Sequence, residues 1–71
     1  MGEKVLMPMP GKIVEVKVKE GDTVEEDQEL LIFEAMKMEN PLFSPAAGTI
    51  SELNVADGQS VEADFVVALI E

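Results

Sequence analysis

Glu34-Ala35-Met36-Lys37-Met38-Glu39-Asn40 is the stretch about which the rest of this chain is arranged. A lysine stands between two methionines, and a glutamate lies further out on each side. Apolar runs at 30–33 and 42–43 flank it, short enough for buried strands and too short for helices. The seven residues therefore read as the tip of a β-hairpin. A lysine there is held out into solvent, within reach of another protein.

Working outward, the chain repeats itself. Adding 37 to the numbers 8–34 gives 45–71 without a gap. Pro8, Gly11, Ile13, Glu15 and Val18 meet Pro45, Gly48, Ile50, Glu52 and Val55; Gly21, Val24, Glu25, Asp27 and Glu34 meet Gly58, Val61, Glu62, Asp64 and Glu71. Most other pairs are conservative, such as Val16 with Leu53 and Thr23 with Ser60. A gapless match of this kind marks a structural repeat. Each half offers about four short β-branched segments punctuated by glycine or proline, which are strand and turn signals. Neither half can bury its apolar face alone, so the two must pack as a sandwich or flattened barrel. Pro8, Pro10, Pro41 and Pro45 and the lack of a sustained 3.6-residue period argue against helices. Within 12–19, Val14, Val16 and Val18 alternate with Glu15, Lys17 and Lys19, which predicts one buried face carrying the three valines. Pseudo-twofold symmetry singles out two places. One is the link holding Lys37; the other is where the termini come to rest, at the far end.

Seventy-one residues make one small domain, 1–71, with halves at about 8–34 and 45–71 joined by the Lys37 hairpin. Domains of this size often rely on disulfides or metals, but the chain has no Cys and no His. Thiolate and imidazole metal sites and thiol redox chemistry are thereby excluded. The formal net charge is −10, with fifteen acidic residues against five lysines. A nucleic-acid or anionic-membrane partner would require a basic patch, so neither is expected. The charge favours a soluble monomer. No apolar run reaches membrane-spanning length and no secretory signal opens the chain, which with the missing cysteines predicts a cytoplasmic protein.

Among the lysines, only Lys37 is bracketed by methionines at a tip. Solvent-facing thioethers have no packing role there, and exposed apolar groups beside one amine suggest recognition by another protein. A lysine amine is also a natural acceptor for an activated carboxyl group. Glu34 and Glu39 could in principle form a catalytic carboxylate pair, but with no cleft or partner base they read as solvated strand ends. Glu25-Glu26-Asp27 lacks the alternating oxygen spacing of a calcium loop and reads as a polar corner. Ser44, Ser51 and Ser60 have no base to activate them.

At Glu34-Ala35-Met36-Lys37-Met38-Glu39 the chain resembles the biotin-attachment family, the biotin carboxyl carrier domains, whose signature is Ala-Met-Lys-Met. Pro8-Met9-Pro10-Gly11-Lys12 and the Gly21-Asp22 and Asp57-Gly58 turns match as well, and the likeness runs from about 4 to 71. It implies an all-β, flattened barrel–sandwich of two four-stranded antiparallel sheets with Lys37 on an exposed hairpin. It further implies covalent biotin on Lys37, no catalytic residue and no metal in the domain itself, and recognition by a biotin protein ligase through Ala35, Met36 and Met38. The expected partners beyond the ligase are biotin carboxylase and carboxyltransferase or decarboxylase subunits or domains. Related lipoyl domains usually carry Asp-Lys-Ala at the tip, so a lipoyl carrier of an acyl-transfer complex is the alternative; an unmodified structural module is a third. The chain departs from the family at Asp27-Gln28 and Asp64-Phe65, where Gly-Gln is usual, and the gapless repeat leaves no room for the thumb insertion of some bacterial carriers.

Overall fold

A computed structural model describes residues 2–71. The strands are β1 (Glu3–Leu6), β2 (Gly11–Val16), β3 (Thr23–Val24), β4 (Glu29–Ala35), β5 (Met38–Phe43), β6 (Gly48–Leu53), β7 (Ser60–Val61) and β8 (Val66–Ile70). They form two four-stranded sheets, β1-β8-β6-β3 and β5-β4-β2-β7, and every ladder is antiparallel. The sheets remain separate and do not close into a barrel, so the all-β two-sheet expectation holds in its sandwich form.

The halves are interlocked. Strand β3 of the first half pairs with β6 of the second, and β7 of the second pairs with β2 of the first. A shift of 37 carries β2, β3 and β4 onto β6, β7 and β8, and residues 3–6 of β1 onto 40–43 of β5. Hydrogen bonds obey the same shift. The Gly21 amide donates to the Ile50 carbonyl at 2.8 Å, and the Gly58 amide to that of Ile13 at 2.7 Å. Two carboxylates complete the seam: the Val16 amide donates to Asp57 Oδ1 at 2.8 Å, and the Leu53 amide to Glu20 Oε2 at 3.1 Å.

The valine alternation predicted for 12–19 is corrected. Ile13 is fully buried while Val14 is exposed, Val16 is half-buried and only Val18 reaches the core edge. The cause is a bulge. Ile13 faces Phe33 but Glu15 faces Ile32, so Val14 is an extra residue, and everything after it changes face. Ser51 is the equivalent extra residue in β6. Further shifts between Val5 and Leu6 and between Glu29 and Leu31 let the neighbours Leu30 and Leu31, like Val67 and Ala68, all point inward.

The core is built from Met7, Ile13, Leu30, Leu31, Phe33, Ile50, Val67 and Ile70, each at most 2% exposed. Burial of side chains of this size contributes roughly 1.5–3 kcal/mol each, the main force holding so small a domain together. Gly48 lets the backbone come close: a Cβ there would stand 2.6 Å from the Glu71 carbonyl oxygen. Its equivalent, Gly11, meets the Glu34 carbonyl oxygen at 2.8 Å.

The two corners without glycine adopt the left-handed conformation through aspartate, with φ 67° at Asp27 and 66° at Asp64. Aspartate tolerates it better than most residues. At the first corner Gln28 Oε1 accepts the Glu25 amide at 3.0 Å. Phe65 stands at the matching position, cannot accept that bond, and instead packs half-buried against the core. That exchange of a cap for apolar burial accounts for the aromatic on this corner.

Candidate functional site: a lysine at a left-handed hairpin tip

Strands β4 and β5 form the longest ladder of the molecule, from Glu29 opposite Phe43 to Ala35 opposite Met38. Only Met36 and Lys37 lie between them, a two-residue loop. Both have positive φ, 55° and 66°. That is the signature of a type I′ turn, whose twist matches the strands and whose usual residues are Asn-Gly. Holding two long side chains left-handed costs about 1–2 kcal/mol each, and such strain gathers at functional positions.

The ladder fixes where each side chain goes. Ala35 is buried at 8% exposure, seating the end of β4 on the core, while Met36 is 89% and Met38 65% exposed. Lys37 is exposed as well. Among the described residues the ion pair found joins Lys17 and Glu29 at 3.5 Å, so the Lys37 amine has no carboxylate holding it down. The register sets Glu34 directly opposite Glu39, both exposed, as the first polar pair below the tip. The hollow on the outer face of these strands is lined by Glu29, Ile32, Glu39, Asn40 and Pro41 and does not include Lys37. The amine therefore projects from the body instead of sitting in a cleft.

Two contributors escaped the sequence reading. Asn40 Nδ2 donates to the Met38 carbonyl at 3.1 Å and pins the strand just after the turn; an Asx residue that close to a turn was the available signal. The other is the start of β2: Lys12 faces Glu34, which sets the first residues of β2 beside the last residues of β4, next to the tip. Of the remaining candidates, Ser44 is 1% exposed and its hydroxyl donates to the Ala46 carbonyl at 2.6 Å, a turn bond. Glu25, Glu26 and Asp27 lie on the exposed corner.

Fold and site together define a class: a small two-sheet module that presents one lysine on a strained hairpin turn. The family described as "Biotin-requiring enzyme" matches residues 3–70, and the chain belongs to that family. It is 60% identical over 42 residues to the biotin carboxyl carrier protein of Streptococcus mutans, covering 59% of this chain and 32% of that protein. It is 42% identical over 64 residues to the mitochondrial pyruvate carboxylase of Mus musculus, covering 90% of this chain and 5% of that protein. In three dimensions it matches the crystal structure of urea carboxylase from Kluyveromyces lactis over all of its length, with a TM-score of 0.91 and 28% identity, while covering 6% of that chain. The chain thus spans a third or less of the length of these relatives.

Proposed function

We propose that this chain is a biotin carboxyl carrier module, with Lys37 Nζ as the atom that carries biotin through an amide bond. The observation supporting this most directly is the exposed Lys37 amine on a turn of two left-handed, non-glycine residues, flanked by exposed thioethers. Relatives named as a biotin carboxyl carrier protein and as carboxylases support the biotin reading over the lipoyl one, as do Met36 and Met38.

The chain's part in the chemistry is presentation. A biotin protein ligase would supply biotin as an activated acyl adenylate; the Lys37 amine would attack the acyl carbon, the C–N bond forming as the acyl C–O bond to the phosphate breaks, AMP leaving and the nitrogen giving up a proton to solvent. Biotin, when attached, supplies a ring that takes up a carboxyl group at one active site and gives it up at another. Met36 and Met38 offer the ligase soft apolar contacts, and buried Ala35 fixes where the turn sits. Tethering replaces diffusion with a high effective concentration, provided the arm spans the sites. A rigid β-hairpin keeps the ordering cost of each docking event low. The module contributes no acid, base or nucleophile of its own to the carboxyl transfer. Its partners are accordingly the ligase and the carboxylase and carboxyltransferase or decarboxylase units of a cytoplasmic enzyme.

Coexpression with a biotin ligase tests this by intact mass. The expected result is a gain of biotin less one water, absent in Lys37→Arg. No gain, or the same gain in Lys37→Arg, overturns the reading; a lipoyl gain under lipoylating conditions with none of biotin favours the alternative.

A further inference from the structure

A second hollow lies on the flank of the sandwich, between the edge strands β1 and β5, and is lined by Lys4, Val5, Leu6, Leu42, Phe43 and Pro45. Its two walls are related by the repeat. Leu6 and Phe43 stand 37 positions apart and are 42% and 50% exposed. Alternation along each edge strand turns Val5 and Leu42 toward the core and leaves Leu6 and Phe43 outside. A solvent-facing position is free to be polar, yet both halves carry a large apolar side chain there, and the fold brings the two to one place. Each end of the hollow adjoins an acidic corner. Ser44, next to Phe43, accepts the Asp27 amide and donates its own to the Gln28 carbonyl, both at 2.8 Å. Met7, next to Leu6, accepts the Asp64 amide at 2.9 Å and donates to the Phe65 carbonyl at 3.0 Å. The exposed carboxylates of Glu25, Glu26, Asp27, Glu62 and Asp64 thus gather about the hollow, against the one ammonium of Lys4 in its lining.

We propose that this hollow is a docking groove for an extended protein segment with an apolar centre and lysine or arginine on both sides of it. The apolar centre answers to Leu6 and Phe43, since exposed apolar groups gathered in one patch mark interaction sites. The basic flanks answer to the two corners and to a formal net charge of −10. The extended form answers to the sheet edges: β1 and β5 each have one neighbouring strand, so the backbone on their outer side is available to an added segment. At about 250 Å³ the hollow is below the roughly 300–1,000 Å³ that encloses a small organic ligand. A second copy of this chain is disfavoured, because its own acidic corners would be brought against these. Phe43 pairs with Glu29 at the end of the β4–β5 ladder away from the turn, so a segment docked here leaves the Lys37 tip uncovered. The module would be moored by its flank with the tip free, whatever Lys37 carries.

The test titrates the isotope-labelled chain with a capped synthetic peptide, Lys-Lys-Val-Leu-Val-Leu-Lys-Lys, and follows the backbone amide signals by NMR. Saturable shifts are expected at 4–6, at 42–44 and at the two corners, with none at 36–38. Leu6→Thr/Phe43→Thr keeps strand-forming residues at both exposed positions and should weaken binding about tenfold or more. Glu25→Gln/Glu26→Gln/Glu62→Gln should weaken it about tenfold at low salt and far less at high salt. The same peptide with glutamate in place of lysine should not bind. If the first variant loses its dispersed spectrum, the second, which alters exposed carboxylates alone, decides by the same comparison. Four results overturn the inference. They are no saturable shift along the lining, undiminished binding by either folded variant, equal binding of the glutamate-flanked peptide, and a dimer of the chain alone that Leu6→Thr/Phe43→Thr dissociates, which would make a second copy the occupant. None of these readouts depends on biotin, so the carrier reading stands or falls separately.

Discussion

Among the described residues four that are not glycine hold left-handed backbone, two at the corners and two at the tip, and the side chains chosen are opposite in kind. Asp27 and Asp64 are short and polar, and they sit where the repeat needs a corner in each half. Aspartate is among the few residues that occupy this region at small cost. Met36 and Lys37 are long and have no such tolerance, yet their φ values of 55° and 66° match those of the aspartates. The corners show what the fold selects when it alone sets the residue. At the tip the fold alone gives no reason for the residues present, and on the proposed function they answer to a partner outside the chain.

Exchanging the tip residues tests this contrast most severely. Met36→Lys/Lys37→Met keeps the composition, the loop length and both left-handed positions, but moves the amine one residue along the turn. Acceptor activity should fall by a hundredfold or more, on the order of what small misplacements of reacting groups cost, with the melting temperature nearly unchanged. Efficient labelling of the variant would mean that the turn does not aim its second residue.

A smaller effect should separate stability from recognition. Met36→Asn places at the first turn position a residue suited to it. It should stabilise the domain by about 0.5–1 kcal/mol in urea unfolding while slowing biotinylation. Loss of stability would show that Met36 is not strained; unchanged labelling would show that its thioether is not read.

Smallest is the change at a corner. Asp27→Gly should stabilise by about 0.5 kcal/mol at most, since relief of the left-handed φ is offset by the greater freedom glycine brings to the unfolded chain. The rate of biotinylation should not move. A labelling defect from this corner would tie the corner to the tip and dissolve the contrast.

Much of this was legible in the linear sequence. The strands and the tip were visible because short apolar runs, glycines and prolines act locally, through backbone sterics and the period of two. The bulges were not. The alternation of Val14, Val16 and Val18 reads as one face, but an extra residue in a ladder is set by the partner strand, here β4 bringing Ile32 opposite Glu15. The likeness of β1 to β5 also escaped notice, because Val5 and Leu42, or Leu6 and Phe43, share apolar character and no identity. The exposed place of Lys37 at a turn was legible from its neighbours; the place of Lys12 beside the base of that turn was not, since only the pairing of β2 with β4 brings it there.

By itself, then, the amino-acid sequence determined the all-β class, the 37-residue repeat and the placing of one lysine between two thioethers at a turn, because each is written in contacts between chain neighbours or in self-likeness. Only the tertiary structure decided that the halves exchange β3 and β7, that Glu20 and Asp57 cap amides across the seam, and that Met36 and Lys37 are both left-handed. The exchange and the caps depend on which distant strand lies alongside, and long-range pairing leaves no periodic mark in the chain; the left-handed turn follows from the register of β4 on β5, which leaves two residues to close the hairpin.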